Sequence, residues 1–208
     1  MTITPVQVFL VDDETEVTAA LKWLLDSVKI SSTVFNSATP FLTAVRDYEG
    51  PACVVLDLRM PELSGLELQQ ILLQEGHDLP LIFLSAHGDV PAAVNAIQHG
   101  ALDFLQKPFN PQAFLNSVNR MIKVARERHD ARQRRHGLEK HLGQLSVREA
   151  EVLDYLVMGN TSKEIAQRLD ISPKTVDVHR ANILHKMQVK TLADLRRKLE
   201  ENKVPRSA

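Results

Sequence analysis

Three short apolar runs in this chain are each followed by charged residues. The run VFLV precedes Asp12 and Asp13, VVL precedes Asp57, and DFLQ precedes Lys107. Such runs lack the alternation of a half-exposed strand and are typical of strands buried on both faces of a parallel sheet. The stretches between them have helical periodicity, which favours right-handed βαβ units. Because the carboxyl ends of parallel strands meet at one edge, the sequence predicts three acids and a lysine there.

The residue types at this edge predict a cation site with a nucleophile. Three carboxylates repel one another unless a cation lies among them, and oxygen ligands without nearby His or Cys favour Mg²⁺ over zinc. Asp57 is then placed to attack a phosphoryl donor, while Mg²⁺ and the Lys107 ammonium group neutralise charge on the phosphoryl oxygens. The predicted product is an aspartyl phosphate.

Each of these segments also has an ordinary structural interpretation. An Asp-Asp-Glu sequence after a strand often serves as the N-cap and acidic first turn of a helix. Asp57 before a Met-Pro turn and Lys107 before a proline are also common in loops. Their position at the ends of successive strands favours the functional interpretation, because acids in independent loops need not converge.

The order of the motifs matches a known family. LVDDE, VVLDLRMPELSG, LSAHGD and DFLQKPF follow one another between residue 3 and about residue 122, and this stretch resembles the receiver domain of a two-component response regulator. The resemblance implies an α/β fold with a doubly wound, five-stranded parallel sheet of the flavodoxin/CheY type. It also implies a cis peptide bond between Lys107 and Pro108.

The same resemblance implies a role for each residue that matches the motifs. The residues of the phosphorylation chemistry are the phosphoacceptor Asp57, the hydroxyl switch Ser85, the aromatic switch Phe104 and the invariant lysine Lys107. The implied Mg²⁺ ligands are Asp12, Asp13, Asp57 and the main-chain carbonyl of Arg59. Two of these positions take the less common option of the family, because Ser85 lacks the χ1-stiffening methyl group of threonine and Phe104 lacks the hydroxyl of tyrosine.

Length and charge predict two domains. A chain of 208 residues exceeds the commonest domain size of about 100 to 150 residues. Residues 1–119 hold five Lys and Arg against fourteen Asp and Glu, residues 120–141 eight against three, and residues 142–208 twelve against nine. An acidic half joined to a basic half indicates that only the second meets a polyanion.

Cysteine content and hydropathy predict a cytoplasmic protein that does not enter a membrane. The single cysteine, Cys53, lies in an apolar run, so we expect a buried small side chain rather than a nucleophile. A chain with one cysteine has no internal disulfide, which fits a reducing compartment. No apolar stretch approaches the roughly 20 residues that span a bilayer, and the N-terminus lacks the pattern of a signal peptide.

The middle of the chain predicts a helical connection. Residues 120–142 lack proline and contain one glycine, Gly137. They continue the pattern of the preceding helix, with fraying expected near Gly137. Their basic side chains fit a solvated helix face better than direct phosphate contact.

The C-terminal third predicts short helices separated by tight turns. Ser146 and Glu149 are spaced as a capping box ahead of one helix. A second helix is expected at 161–169, a third at 172–187 with serine and proline at its start, and a fourth at 192–201. A short helix, a tight turn and a second helix form a helix-turn-helix.

A second resemblance covers this region. The segment LSVREAEVLDYLVMGNTSKEIAQRLDISPKTVDVHRANILHKM closely resembles the LuxR-type DNA-binding domain, which implies an all-α, four-helix fold. The combination resembles response regulators of the FixJ branch of the NarL/FixJ family, and it is also similar to the regulator of styrene catabolism. The predicted division is a receiver domain at 1–122, a helical linker at 123–141 and a LuxR-type helix-turn-helix domain at 142–208.

The helical wheel of the third helix predicts which side chains meet DNA. Its apolar face holds Val176, Ile183 and Met187, so the opposite face is expected to enter the major groove. The predicted contacts there are Lys174 and Arg180 with phosphate or guanine, Asp177 with a cytosine amine, Val178 with a thymine methyl group, and Thr175, Ala181 and Asn182 nearby. The predicted phosphate contacts of the preceding helix are Thr161, Ser162 and Lys163. Each of these side chains could also be an ordinary solvent-exposed residue. The pattern at His179 fits a partly buried ring as well as it fits a DNA contact.

The predicted function is transcriptional regulation rather than enzymatic turnover. The resemblance implies that a sensor histidine kinase phosphorylates Asp57, that Ser85 and Phe104 respond, and that the product dimerises and binds double-stranded promoter DNA, with RNA polymerase as a further partner. One alternative is an aspartyl-phosphate phosphatase or phosphotransferase, although such enzymes usually have a second acid where this chain has Arg59. Another is a constitutive DNA-binding protein whose receiver serves only for assembly.

Overall fold

The computed structural model of the chain describes residues 4–86 and 90–202. The end of the LSAHGD motif, at 87–89, and the outer ends of the two predicted domains lie outside the described residues. The chain divides into two compact units, Met1–His129 and Asp130–Ala208. Each unit contains its own buried hydrophobic residues.

The N-terminal unit alternates strands and helices. Its strands are β1 (Gln7–Val11), β2 (Ser32–Phe35), β3 (Ala52–Asp57), β4 (Leu81–Ser85) and β5 (Asp103–Gln106). Its helices are α1 (Thr15–Ser27), α2 (Ala38–Arg46), α3 (Gly65–Gln74), α4 (Val90–Gln98) and the start of α5 (Pro111–Leu142). Each apolar run that predicted a strand forms one.

The strands form one parallel sheet with the order β2-β1-β3-β4-β5. The register pairs Val11 with Leu56, Asp57 with Leu84, and Ser85 with Gln106. The carboxyl ends of β1, β3, β4 and β5 therefore lie side by side, where a doubly wound sheet has its ligand crevice. This architecture confirms the predicted fold class of the N-terminal unit.

Alternate side chains of the strands build a core on each face of the sheet. Phe9 and Val11 lie in the core that α2, α3 and α4 cover. Val8 and Leu10 lie in the core that α1 and α5 cover, together with Cys53. Every residue of β3 and β4 is buried, which explains why both strands are apolar up to their last residue. Cys53 is fully buried as predicted, and burial raises the pKa of its thiol to about 12.

Helix α5 continues across the boundary between the two units. It runs from Pro111 to Leu142 without a break, so the fraying expected near Gly137 is wrong. Ala125 belongs to the core of the N-terminal unit, whereas Leu138 is fully buried in the core of the C-terminal unit. The stretch 130–136 between them is exposed. None of the helices in the described ranges, α5 included, is long and apolar enough to cross a membrane.

The C-terminal unit is helical and contains the predicted helix-turn-helix. Its further helices are α6 (Val147–Val157), α7 (Ser162–Leu169), α8 (Pro173–Lys186) and α9 (Leu192–Glu201). Ser146 and Glu149 form the predicted capping box of α6, and Ser172 caps α8 ahead of a first-turn proline. Asp170, with a φ of 52°, ends α7 in the left-handed conformation and begins the turn to α8.

Cationic side chains close three helix ends within this unit. Arg148, Arg196 and Lys198 donate hydrogen bonds of 2.7, 2.8 and 2.9 Å to carbonyl groups at the C-terminal ends of α7, α6 and α8, respectively. Carbonyl groups in a last helical turn lack partners within their own helix and carry the negative end of its dipole. Two of these contacts fix the ends of the helix-turn-helix, α7 and α8, to neighbouring helices, and the third fixes the end of α6 to α9.

The burial of Leu138 generates a prediction about where the C-terminal core begins. We expect Leu138→Ala to destabilise the C-terminal unit by about 2 to 5 kcal/mol, because alanine leaves a cavity in a packed core. Leu73→Ala on α3 is the matched control, since Leu73 is 50% exposed. Hydrogen exchange of backbone amides measures the effect, and protection of α6 to α9 should fall in Leu138→Ala alone. Equal protection in both variants would place residue 138 outside the core.

Candidate metal centre and nucleic-acid interface

The candidate metal centre lies at the carboxyl ends of the strands. Asp12 follows β1, Asp57 ends β3, and Lys107 follows β5. The amide of Lys107 donates to the carbonyl oxygen of Ser85 at 2.7 Å, which fixes the end of β5 to the end of β4. The peptide bond from Lys107 to Pro108 is cis, as expected.

The ammonium group of Lys107 bridges the carboxylates of this edge. Its Nζ lies 2.7 Å from Asp12 Oδ2, 2.8 Å from Asp57 Oδ1 and 3.2 Å from Glu14 Oε1. The side chains of Asp12, Asp57 and Lys107 are 2%, 8% and 13% exposed, whereas Glu14 faces solvent. Loss of one partner from such a buried group leaves an uncompensated charge, so these side chains hold one another in place.

The pKa values at this site follow from burial and from these contacts. Burial acts to lower the pKa of Lys107, but its hydrogen bonds to Asp12 and Asp57 outweigh burial and raise that pKa above its ordinary value. Burial raises the pKa of Asp12, and the hydrogen bonds from Lys107 and from the amide of Glu14 oppose this rise. Lys107 is therefore a fixed cation at neutral pH.

The loop that follows β3 orients Asp57. Asp57 Oδ2 accepts a hydrogen bond of 2.7 Å from the amide of Arg59, while Oδ1 faces Lys107. The chain then returns so closely that a Cβ atom at Gly65 would lie 2.3 Å from the carbonyl oxygen of Asp57. Glycine is therefore required at position 65, because the backbone there lies too close to the backbone of Asp57 for a side chain to fit. Gly65 was not among the predicted site residues. It is the last residue of the VVLDLRMPELSG motif.

Three carboxylates at this edge can hold a metal ion. One oxygen from each of Asp12, Glu14 and Asp57 lies within 4.8 Å of the others, and such hard oxygen ligands suit a divalent cation. Glu14 was not among the predicted ligands, although it is the third acid of the LVDDE motif. The predicted ligand Asp13 is exposed and is not part of this group. The predicted use of the Arg59 carbonyl stays a prediction.

The two predicted switch residues lie on β4 and β5. Ser85 is buried at the last position of β4, next to Lys107. Phe104 is paired in register with Phe83 and packs, half-buried, against the core beneath α2 to α4. Because β5 is the edge strand of the sheet, the ring of Phe104 lies between the core and solvent.

An apolar groove lies beside Lys107, between α1 and the loop that precedes α5. It encloses about 420 Å³ and is lined by Val17, Ala20, Leu21, Trp23, Leu24, Lys107, Pro108, Phe109 and Pro111. Trp23, the single tryptophan of the chain, is 74% exposed. Exposed apolar surface of this kind commonly marks a site of protein interaction. The groove was not predicted, because its walls come from segments far apart in the sequence.

Helix α8 presents the predicted recognition face to solvent. Val176, Ile183 and Met187 are fully buried on its other side. The predicted contacts on α8 are all exposed, namely Lys174, Thr175, Asp177, Val178, Arg180, Ala181 and Asn182. His179 differs, since its Nδ1 is buried and has no hydrogen-bond partner among the described residues. This position fits a partly buried ring rather than a contact.

The start of α7 carries the other predicted contacts. Thr161 caps the helix, because its Oγ accepts from the amide of Glu164 and the Glu164 carboxylate accepts from the amide of Thr161. Lys163 is exposed. Ser162 donates a hydrogen bond of 2.7 Å to Asp177 Oδ1. The two helices of the helix-turn-helix are thus joined by two residues that were both predicted to contact DNA.

A buried carboxylate braces the other end of α8. Glu149 is 4% exposed and accepts hydrogen bonds of 2.6 Å from Lys186 Nζ and 2.8 Å from the amide of Ser146. The hydrogen bond from Lys186 and that from Ser146 lower the pKa of Glu149, against the opposing effect of burial. The last turn of α8 is therefore tied to the first turn of α6.

Known protein families match both units. The family described as "Response regulator receiver domain" matches residues 8–119, and the family described as "Bacterial regulatory proteins, luxR family" matches residues 143–199. The first match contains every predicted residue of the metal centre. The second contains every predicted DNA contact.

Individual relatives cover nearly the whole chain. The transcriptional regulatory protein TdiR of Thauera aromatica is 46% identical over 192 residues, which are 90% of this chain and 82% of TdiR. The transcriptional regulatory protein FixJ of Bradyrhizobium diazoefficiens is 36% identical over 188 residues, 90% of this chain and 91% of FixJ. A solved structure of the response regulator StyR has a TM-score of 0.84 at 38% identity, and it covers 95% of this chain and 99% of the StyR chain.

The contact between Glu149 and Lys186 predicts how acid affects the C-terminal unit. A carboxyl group whose pKa is lowered by folding stabilises the fold above its unfolded pKa, near 4.5, and this stabilisation is lost as pH falls through the folded pKa. We expect Glu149→Gln to lower the free energy of unfolding of the C-terminal unit by about 1 to 2 kcal/mol at pH 7. We also expect the stability of this variant to fall less steeply than that of the wild type as the pH is lowered.

Urea titrations between pH 3 and about pH 7, followed by NMR signals of α6 to α9, measure this dependence. Glu151→Gln is the control, because Glu151 is paired with Arg148 at the surface. An unchanged pH dependence in Glu149→Gln would contradict the assignment.

Proposed function

The chain belongs to the NarL/FixJ family of response regulators, in which a receiver domain is joined to a LuxR-type DNA-binding domain, and we propose that phosphorylation of Asp57 controls its binding to promoter DNA. The observation that carries the proposal is the Lys107 bridge between Asp12 and Asp57 in a chain that also holds a helix-turn-helix. The donor of the phosphoryl group is a phosphohistidine of a sensor histidine kinase.

The geometry supports Asp57 as the nucleophile. One carboxylate oxygen attacks phosphorus as the bond from phosphorus to the histidine nitrogen breaks, and the electron pair of that bond stays on the imidazole. The contacts of Asp57 with Lys107 and with the amide of Arg59 hold the carboxylate in place for this attack. Lys107 then neutralises charge on the transferred phosphoryl oxygens.

The acids at the same edge fit Mg²⁺. Asp12, Glu14 and Asp57 bring three carboxylate oxygens together, and we propose Asp13 and the Arg59 carbonyl as further ligands, directly or through water. Bound Mg²⁺ supplies charge neutralisation at the phosphoryl oxygens.

The phosphoryl group acts as a switch by adding charge at a buried edge. We propose that the hydroxyl of Ser85, which is buried at the end of β4, donates to a new phosphoryl oxygen and that the half-buried ring of Phe104 then moves inward. Outside the ring lies the α4 surface, where Val90, Val94 and Ile97 are 70%, 50% and 48% exposed. Exposed valine and isoleucine on one helix favour burial in a dimer, so phosphorylation shifts the receiver from monomer to homodimer.

The groove beside Lys107 supplies a docking surface for the kinase. A protein donor must bring its phosphohistidine to Asp57, and the groove opens next to the lysine that contacts Asp57. Its exposed Trp23 offers a large apolar side chain of the type that dominates protein interfaces. A small donor such as acetyl phosphate needs no such surface.

The DNA-binding unit delivers the output. Two copies of α8, brought together by receiver dimerisation, enter successive major grooves of double-stranded promoter DNA. We propose that this activity takes place in the cytoplasm and that RNA polymerase contacts the DNA-bound regulator. An aspartyl-phosphate phosphatase is the less favoured function, because Arg59 occupies the position where a second acid is usual in such enzymes.

The phosphorylation proposal is tested by labelling with radioactive acetyl phosphate. We expect Asp57→Asn to abolish the label, because the nucleophile is lost, and removal of Mg²⁺ by a chelator to abolish it in the wild type. Asp13→Asn and Glu14→Gln should each raise the Mg²⁺ concentration that is needed for half-maximal labelling. The larger increase should come from the carboxylate that contributes more to Mg²⁺ binding. Normal labelling of Asp57→Asn at another residue would refute the assignment.

The docking proposal separates protein donors from small donors. We expect Trp23→Ala to slow phosphotransfer from a phosphorylated sensor kinase by roughly tenfold or more, since loss of an interface tryptophan commonly costs about 2 kcal/mol. Labelling by acetyl phosphate should be unchanged. Val28→Ala is the control, because Val28 is exposed beyond the end of α1 and does not line the groove. If Trp23→Ala slowed phosphorylation equally with both donors, Trp23 would have a structural role rather than a role in kinase docking.

The dimer proposal is tested with beryllofluoride, which mimics the phosphoryl group. With Mg²⁺ and beryllofluoride, sedimentation should show a shift from monomer to dimer, and footprinting should show two half-sites about one helical turn apart. Val94→Glu on α4 should prevent both changes, because it introduces a charge into the apolar surface. Leu73→Glu, at an equally exposed position of α3, serves as control. A single unpaired half-site would contradict this arrangement.

A further inference from the structure

The contact between Ser162 and Asp177 is not explained by phosphate binding. Ser162 Oγ lies 2.7 Å from Asp177 Oδ1 and joins the first turn of α7 to α8. A carboxylate has no proton to give, so the hydroxyl is the donor. A serine hydroxyl has one proton, and Ser162 therefore does not donate to a DNA phosphate while this bond persists.

Asp177 is an anion on a surface that meets a polyanion. Lys174, Val178 and Arg180 are exposed on the same helix. Among the described residues, no Lys, Arg or His nitrogen lies within 4.0 Å of the Asp177 carboxylate, which is absent from every ion pair of the unit. Next to DNA phosphates such a charge weakens binding to all sequences alike. Asp177 therefore favours binding only where DNA offers it a donor.

The donors in the major groove are amines of the bases. Cytosine N4 and adenine N6 both carry hydrogens that a carboxylate can accept. Adenine places the acceptor N7 beside its amine, and the lone pair of N7 repels a carboxylate, whereas cytosine has no acceptor on that part of its edge. Phosphate oxygens are acceptors and repel it as well. Cytosine is therefore the base that fits Asp177.

We infer that Ser162 is a positioning residue that holds Asp177 to read one cytosine in each half-site, rather than a phosphate contact. The inference rests on the proposed DNA-binding function. The hydroxyl occupies Oδ1 and restricts rotation of the carboxylate, while Oδ2 accepts from the cytosine amine. The support is rigid, since Thr161 and Glu164 close the first turn of α7 with a capping box. A side chain ordered before binding loses less entropy on contact.

The test begins with selection of a preferred sequence. The full chain, with Mg²⁺ and beryllofluoride, is used to select from a randomised double-stranded DNA library. The selected duplex, and versions with each base pair replaced in turn, are then titrated against the wild type and four variants at several salt concentrations. The variants are Asp177→Ala, Ser162→Ala, Ser162→Thr and Lys163→Ala, and circular dichroism verifies that each is folded.

The inference predicts a different pattern for each variant. Asp177→Ala should reduce discrimination at one C·G position by roughly 5- to 150-fold, the usual range of a base contact, and raise affinity for unrelated duplexes. Ser162→Ala should reduce discrimination at that same position by about 3- to 10-fold. Ser162→Thr should restore it, because threonine keeps the hydroxyl. Lys163→Ala, the control, should weaken all duplexes alike and lower the salt slope by about one.

Two results would overturn the inference while leaving the DNA-binding function intact. One is equal weakening of every duplex by Ser162→Ala, which would assign the hydroxyl to a phosphate. The other is unchanged discrimination at every position in Ser162→Ala or Asp177→Ala. A wild-type protein that selects no sequence at all would instead overturn the proposed function, and the inference with it.

Discussion

The bridge of Lys107 between Asp12 and Asp57 is the interaction on which the receiver depends. Only the parallel register of β1, β3 and β5 brings these side chains together, since they lie far apart in the sequence. Two buried carboxylates and one ammonium group together carry a net negative charge, which favours the binding of a cation. The proposed phosphoryl group on Asp57 would change the charge at this edge, where water screens it poorly, so a local reaction would bias the whole unit.

The fold was predictable because burial leaves a strong signature in the sequence. Strands β3 and β4 are buried at every position and are apolar up to their last residues, Asp57 and Ser85, and the caps of α6 and α8 have the expected residues. The continuation of α5 beyond the receiver was predicted, but its intact passage through Gly137 was not. Gly137 favours fraying, and the burial of Leu138 in a core built largely from later helices outweighs this tendency.

The residues of the candidate site that could be predicted are those at or next to the carboxyl ends of strands. Asp12, Asp57 and Lys107 belong to motifs whose order fixes their place in a parallel sheet. Glu14 and Trp23 were missed for a physical reason, because their roles depend on how α1 and the loop after β5 pack together. No periodicity or spacing in the sequence reports such a contact.

The charge balance of the C-terminal unit supports the proposed dependence of DNA binding on dimerisation. Residues 142–208 carry twelve basic against nine acidic side chains, so non-specific attraction to DNA is weak for a single copy. Its acids are also unequally compensated: Glu149 is paired with Lys186, whereas Asp177 receives only a neutral hydroxyl. An uncompensated anion at the recognition face lowers affinity for wrong sequences more than for the right one. Two linked copies would add their binding free energies, so the proposed phosphorylation-dependent dimer would gain both affinity and selectivity.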